Sequence, residues 1–93
     1  MIKEYEFNNK KYILDKDENN VFDYEVVKTL FTDYFDDYDY ILGDIAYNKL
    51  RLKGFCEPKN RKFNKANNIK ELDNYIRDYC AYNCKWFLLK KVK

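Results

Sequence analysis

Apolar residues recur along the chain with two periods, and an element ends where one period gives way to the other. Tyr5-Glu6-Phe7 and Lys11-Tyr12-Ile13-Leu14 flank Asn8-Asn9-Lys10. Asn tolerates positive φ, so this stretch predicts a short β-hairpin. Asn20 or Asp23 can cap a helix on which Tyr24, Val27, Leu30, Phe31, Tyr34 and Phe35 recur three or four apart, ending near Asp36. Tyr38 to Ile45 is rich in β-formers. After the turn-like Ala46-Tyr47-Asn48-Lys49 comes Leu50-Arg51-Leu52-Lys53-Gly54-Phe55, where Leu alternates with a basic residue as a one-sided strand requires. The two segments predict a second hairpin.

From Glu57-Pro58 to Asn68 the chain is polar and lacks apolar periodicity, which predicts an exposed loop and the most mobile segment. Asn68 and Glu71 have capping-box spacing, and Ile69, Leu72, Tyr75, Ile76, Tyr79 and Cys80 trace one helical face. Asn83 can supply the left-handed residue that stops this helix, and Lys85 to Lys91 reads as a last strand. The order is ββαββαβ, which predicts an α+β fold with a mainly antiparallel sheet and two helices. With ~100–200 residues usual for a domain, residues 1–93 are expected to form one compact unit.

Composition narrows the chemistry. The chain has no His, which removes Ser-His-Asp and Cys-His catalysis, HExxH zinc sites and any imidazole switch. Its two glycines, Gly43 and Gly54, cannot build a phosphate-cradling loop, so ATP or NAD use is not expected and no cofactor is predicted. The start, Met1-Ile2-Lys3-Glu4-Tyr5-Glu6, turns acidic where an export signal needs an apolar run of ~7–15 residues. The longest apolar run, Trp86-Phe87-Leu88-Leu89, is far short of the ~20 residues that span a bilayer. Cys56, Cys80 and Cys84 are an odd number that fits reduced thiols better than a disulfide framework. Together these features predict a cytoplasmic location without membrane association.

Tyr38-Asp39-Tyr40-Ile41-Leu42-Gly43-Asp44, then Tyr47, then Leu50-Arg51-Leu52-Lys53-Gly54-Phe55, and later Tyr75-Ile76, Tyr79-Cys80 and Cys84 form a distinctive set. Over roughly residues 20–92 the chain resembles the YutD-like family of small bacterial proteins. Family members often carry a Trp and a Gly where this chain has Ile45 and Ala46, which puts in doubt any function of a surface aromatic there. The resemblance implies a small cytosolic α+β domain from a bacterium and assigns no reaction. It also marks Asp39, Gly43, Asp44, Gly54, Cys80 and Cys84 as motif positions without assigning them roles.

Charge gives the strongest functional signal. Residues 1–47 hold five Lys against twelve Asp and Glu, a net −7, whereas residues 48–70 hold eight Lys and Arg against one Glu, a net +7. Arg51 and Lys53 alternate on one strand face, and Lys59, Arg61, Lys62 and Lys65 follow beside Phe63. Such a surface could hold phosphates while Tyr47 or Phe63 stacks on an unpaired base of RNA or single-stranded DNA. The same electrostatics suit an acidic protein, and a charge run also serves simply to keep a Tyr-rich domain solvated. The pI near 8.3 is below the usual range for nucleic-acid domains.

Two further groups invite chemistry. Asp33, Asp36, Asp37, Asp39 and Asp44 offer hard oxygen ligands, but they lack the calcium-loop spacing and read as a solvated connection. Asp39 and Asp44 beside Gly43 could instead accept backbone hydrogen bonds and fix the strand. Cys80 and Cys84 share one side of the predicted helix and read as small buried hydrophobes, since zinc needs four N or S ligands. A thiol or carboxylate enzyme using Cys84, Asp39 or Asp44 is the third class. The sequence therefore predicts a binding domain with no catalytic residues and no metal. Its contacts are assigned to Tyr47, Arg51, Lys53, Arg61, Lys62, Phe63 and Lys65, with nucleic acid ahead of a protein partner.

Overall fold

Asn8 and Asn9 hold φ of 51° and 66°, the left-handed pair that a tight two-residue hairpin turn requires. In the computed structural model, which describes residues 3–17, 20–46, 48–79 and 85–92, they join β1 (Glu4–Phe7) to β2 (Lys10–Lys16). The second hairpin pairs β3 (Tyr40–Ala46) with β4 (Lys49–Phe55) and closes on Ala46 opposite Lys49, with Asn48 at φ 64°. The last strand, β5 (Trp86–Lys91), enters between the hairpins, giving a five-stranded sheet in the order β1-β2-β5-β3-β4. Every neighbouring pair is antiparallel.

The first helix, α1 (Tyr24–Leu30), starts where expected: the Asp23 carboxylate accepts from the backbone N–H groups of Glu25 and Val26. It does not run to Asp36. Phe31 turns extended at ψ 116°, and a separate 3-10 turn covers Asp33–Phe35. Packing accounts for the break, because Phe31 leaves the helix to stack on Phe7 at 4.8 Å between ring centroids and 12° between planes. The remaining apolar period, through Tyr34 and Phe35, thus continues across a bend.

The polar segment after β4 is more ordered than a simple loop. Asn64 and Asn67 cap each other reciprocally around a 3-10 turn, Lys65–Asn67. Buried Asn67 also donates to the Lys62 carbonyl at 2.9 Å. Asn68 caps a further 3-10 turn, Ile69–Glu71, so α2 proper spans Leu72–Tyr79 rather than beginning at Ile69. Glu71 does not close the expected box on Asn68; its carboxylate accepts from Asn74 at 2.6 Å instead.

The sheet is covered on both faces. On one, α1 contributes Val27 to a core of Phe7, Tyr12, Phe31, Ile41, Phe87 and Leu89. On the other, Leu72 of α2 packs with Leu42, Phe55 and Leu88, joined by Tyr75, Ile76 and Trp86. Gly43 lets the end of the Phe87 ring press against β3, since an added Cβ would sit 2.1 Å from the ring. The Tyr12 hydroxyl is buried in the first core without a hydrogen-bond partner among the described residues. Burial first, then the charges of Asp36 and Asp39, raise its pKa.

Candidate partner-binding surface

The second hairpin sets the geometry of the candidate surface. Its register places Asp44 opposite Arg51 on the face that α2 covers. Asp44 is only 4% exposed, and Arg51 grips it through Nε at 3.2 Å and a terminal nitrogen at 2.6 Å. A carboxylate buried this far requires such a fork. Arg51 is therefore committed to the fold, although its side chain remains half-exposed. Two positions along, Lys53 lies over the rings of Phe55 and Tyr75 at 5.5 and 5.3 Å.

The acidic and basic halves of the sequence meet here. Lys62 approaches Asp37 at 3.9 Å, a weak pair because both side chains are half-exposed. Asn60 donates to the Asp37 carbonyl at 2.7 Å and to Asp39 at 3.1 Å. The same Asp39 oxygen accepts the Glu57 backbone N–H at 2.9 Å, so this motif carboxylate ties the 57–64 segment to the start of β3. Cys56 lies buried beside it, and burial, then the Asp39 charge, pushes its thiol up despite Lys91 and Lys62.

Two hollows open along β4. The larger, about 800 Å³, is walled by Lys53, Lys65, Asn68, Glu71, Tyr75 and Asp78, so it presents both signs of charge over an aromatic floor. The smaller, about 180 Å³, is walled by Tyr34, Tyr38, Leu52, Gly54, Asn64 and Asn67 and adjoins the larger at Lys53 and Ala66. Tyr38 fills the space above Gly54, and its hydroxyl bonds that of Tyr34 at 3.2 Å. That hydrogen bond, with burial second, pushes the Tyr38 phenol up to about 12.

Of the residues read from the sequence, Lys53 and Lys65 share the larger hollow, while Arg61, Lys62 and half-buried Phe63 lie outside its walls. Arg61 and Lys65 are exposed, without an ion-pair partner among the described residues. Tyr47, Cys80 and Cys84 fall outside the described residues. Sequence reasoning missed Glu71, Asp78 and Tyr34. Tyr34 had the spacing of a core residue, yet it is 67% exposed because the helix stops short of it. Asp44 and Arg51 could have been paired in advance, since a hairpin that closes on Ala46 and Lys49 places them opposite each other.

An antiparallel sheet with a helix on each face and a charged hollow beside its second hairpin defines a small α+β domain. Comparison makes this particular. The family described as "Putative antitoxin YutD-like" matches residues 6–90, and the chain belongs to it. The chain is 42% identical over 72 residues to a Bacillus subtilis protein named "Putative antitoxin YutD", covering 77% of this chain and 79% of that protein. The solution NMR structure of yutD from B. subtilis superposes with a TM-score of 0.76 at 34% identity, covering all of this chain and 83% of that one.

Proposed function

We propose that the chain works by holding a protein partner, as the antitoxin name of its relatives implies, and that β4 with the 57–78 segment forms the contact. The observation that carries this reading is the mixed sign of the larger hollow, whose walls hold Lys53 and Lys65 together with Glu71, Asp78 and Tyr75. A nucleic-acid backbone is uniformly negative and would meet two carboxylates there, whereas a protein surface can match both signs. The pairing of Arg51 with Asp44 and of Lys62 with Asp37 further reduces the basic surface that the sequence suggested. Nucleic acid thus becomes the second reading, supported by exposed Arg61 and Lys65. Neither reading includes a reaction.

Charge reversal separates them. With nuclease-treated extract of the source bacterium, Lys65→Glu and Glu71→Lys/Asp78→Lys should each weaken capture of a discrete protein about tenfold, equivalent to ~1.4 kcal/mol. If Glu71→Lys/Asp78→Lys instead strengthens a nuclease-sensitive interaction with a steep salt dependence, the protein reading fails.

A further inference from the structure

Strand β4 is an edge of the sheet, and hydrogen bonds near both its ends determine which backbone groups face outward. Ile45 N–H donates to the Lys85 carbonyl at 3.0 Å, so Ile45 faces β5. By alternation Ala46, Asp44 and Leu42 face β4, and their partners Lys49, Arg51 and Lys53 spend their backbone bonds inward. Leu50, Leu52 and Gly54 therefore turn N–H and C=O toward the free edge. The chain itself uses the next residue in this series. Cys56 N–H donates to the Asn67 carbonyl at 2.7 Å, and its own carbonyl accepts from Ile69 N–H at 2.9 Å, forming a parallel bridge to Asn68. Residues 67–69, where one 3-10 turn passes into the next, thus make a single bridge beside Cys56. Among the described residues nothing continues it along Leu50 to Gly54.

Two adjoining hollows lie beside this stretch and share Lys53 and Ala66 in their walls. On the side facing α2, Lys49, Arg51 and Lys53 project in a row from β4 itself. On the other side lie half-buried Leu50 and Leu52, while Tyr38 covers buried Gly54. An added strand would present alternate side chains to the basic row and to the leucines.

We propose that the free edge of β4 is a strand-addition site, occupied by an extended segment of the protein partner in which acidic and apolar residues alternate. This rests on the protein-partner reading above and specifies its mode. Main-chain bonds to Leu50 and Leu52, with Gly54 buried at the inner end of the series, supply affinity. Specificity comes from acids meeting Lys49 and Lys53 on the strand itself and from apolar side chains meeting Leu50 and Leu52. Basic residues on an edge also discourage pairing between identical strands, since two antiparallel copies of β4 centred on Leu52 would set Arg51 against Lys53. A second copy could instead offer β1, where Glu4 and Glu6 alternate with Tyr5 and Phe7. The Glu6 carbonyl, however, already accepts the Tyr24 hydroxyl at 2.8 Å.

The test is an NMR titration of the isotopically labelled chain with a short capped peptide alternating Glu and Val, taken to millimolar concentration. The expected result is shifts centred on the amides of Leu50, Leu52 and Gly54, with their hydrogen exchange slowed about tenfold or more. Leu52→Pro, which deletes an outward N–H and no ladder bond, should abolish the response, and so should N-methylation of every peptide residue. The proposal is overturned by absent shifts, by shifts mapped elsewhere, or by an undiminished response to the N-methylated peptide, which remains decisive even if Leu52→Pro does not fold. Concentration-dependent self-association blocked by Leu52→Pro would assign the edge to a second copy and also overturn it. If strand addition fails while Lys65→Glu and Glu71→Lys/Asp78→Lys still weaken protein capture, the protein-partner reading stands without it.

Discussion

The sheet's two outer strands are patterned alike and finished differently. In β1, Glu4 and Glu6 alternate with Tyr5 and Phe7; in β4, Arg51 and Lys53 alternate with Leu50 and Leu52. Leu14 N–H bonds the Lys3 carbonyl, which turns Lys3, Tyr5 and Phe7 toward β2 and leaves Glu4 and Glu6 facing outward. The Tyr24 hydroxyl takes the Glu6 carbonyl on that outer side, and Phe7, 2% exposed, packs against the rings of Tyr12, Tyr24 and Phe31. Leu50 and Leu52 are only half-buried, and among the described residues backbone pairing along their edge goes no further than Cys56. One edge is engaged by its own helix; the other, among the described residues, is left unpaired beside two adjoining hollows. Alternation alone does not distinguish them, because what closes an edge is a group arriving from elsewhere in the chain.

Truncation should expose this difference most strongly. Phe7→Ala is expected to cost ~3–5 kcal/mol in denaturant unfolding, whereas Leu52→Ala should cost less than about 2 kcal/mol because its side chain is only partly withdrawn from water. Similar losses at the two sites would show that β4 is bound into the core as firmly as β1. Next comes the ion pair behind the open edge. Arg51→Ala should cost ~1–3 kcal/mol, since it strips the fork from buried Asp44, while Asp44→Ala leaves a half-exposed guanidinium and should cost less. A double-variant cycle by chemical denaturation gives the order.

Smaller effects sharpen the contrast. Tyr24→Phe should cost ~0.5–1.5 kcal/mol and release the Glu6 carbonyl, making β1 resemble β4; denaturation and amide exchange read both effects. Alkaline pH should act more gently. The Tyr38 phenol beside β4 is raised from 10.0 to about 12, so the folded chain holds that proton more tightly than the unfolded one. Its contribution is complete below pH 10.0 and is lost as pH climbs through about 12. Tyr12, beside Phe7, is shifted in the same direction by burial. Unfolding midpoints should therefore fall above pH 10.0, and Tyr34→Phe, by removing the hydrogen bond, should weaken the Tyr38 part of that fall.

Local chemistry was legible in the sequence wherever a few adjacent residues decide the structure. Asn8 and Asn9 announced their turn, Asp23 its cap, and Leu50 and Leu52 the strand face that enters the core. Failures came where distant packing decides. Phe31 has perfect helical spacing, but Phe7 draws it out of the helix, and nothing near Phe31 signals that. The 57–68 segment looked unstructured because its order comes from Asn60, Asn64 and Asn67 side chains bonding backbone and carboxylate groups. The candidate site was half legible for the same reason. Lys53 and Lys65 were found as charges, whereas Glu71, in the 3-10 turn, and Asp78, in α2, join the same hollow only through tertiary packing. Arg51 was read as free because its partner lies on the other arm of the hairpin.

The most direct test of the distinction between the two edges is capture of a nuclease-resistant protein partner by Leu52→Pro and by Glu6→Pro, each checked for folding by circular dichroism. Each substitution removes one outward N–H from one edge. The account predicts that Leu52→Pro loses the partner and Glu6→Pro keeps it; a partner that stays on Leu52→Pro, or leaves with Glu6→Pro, would contradict it.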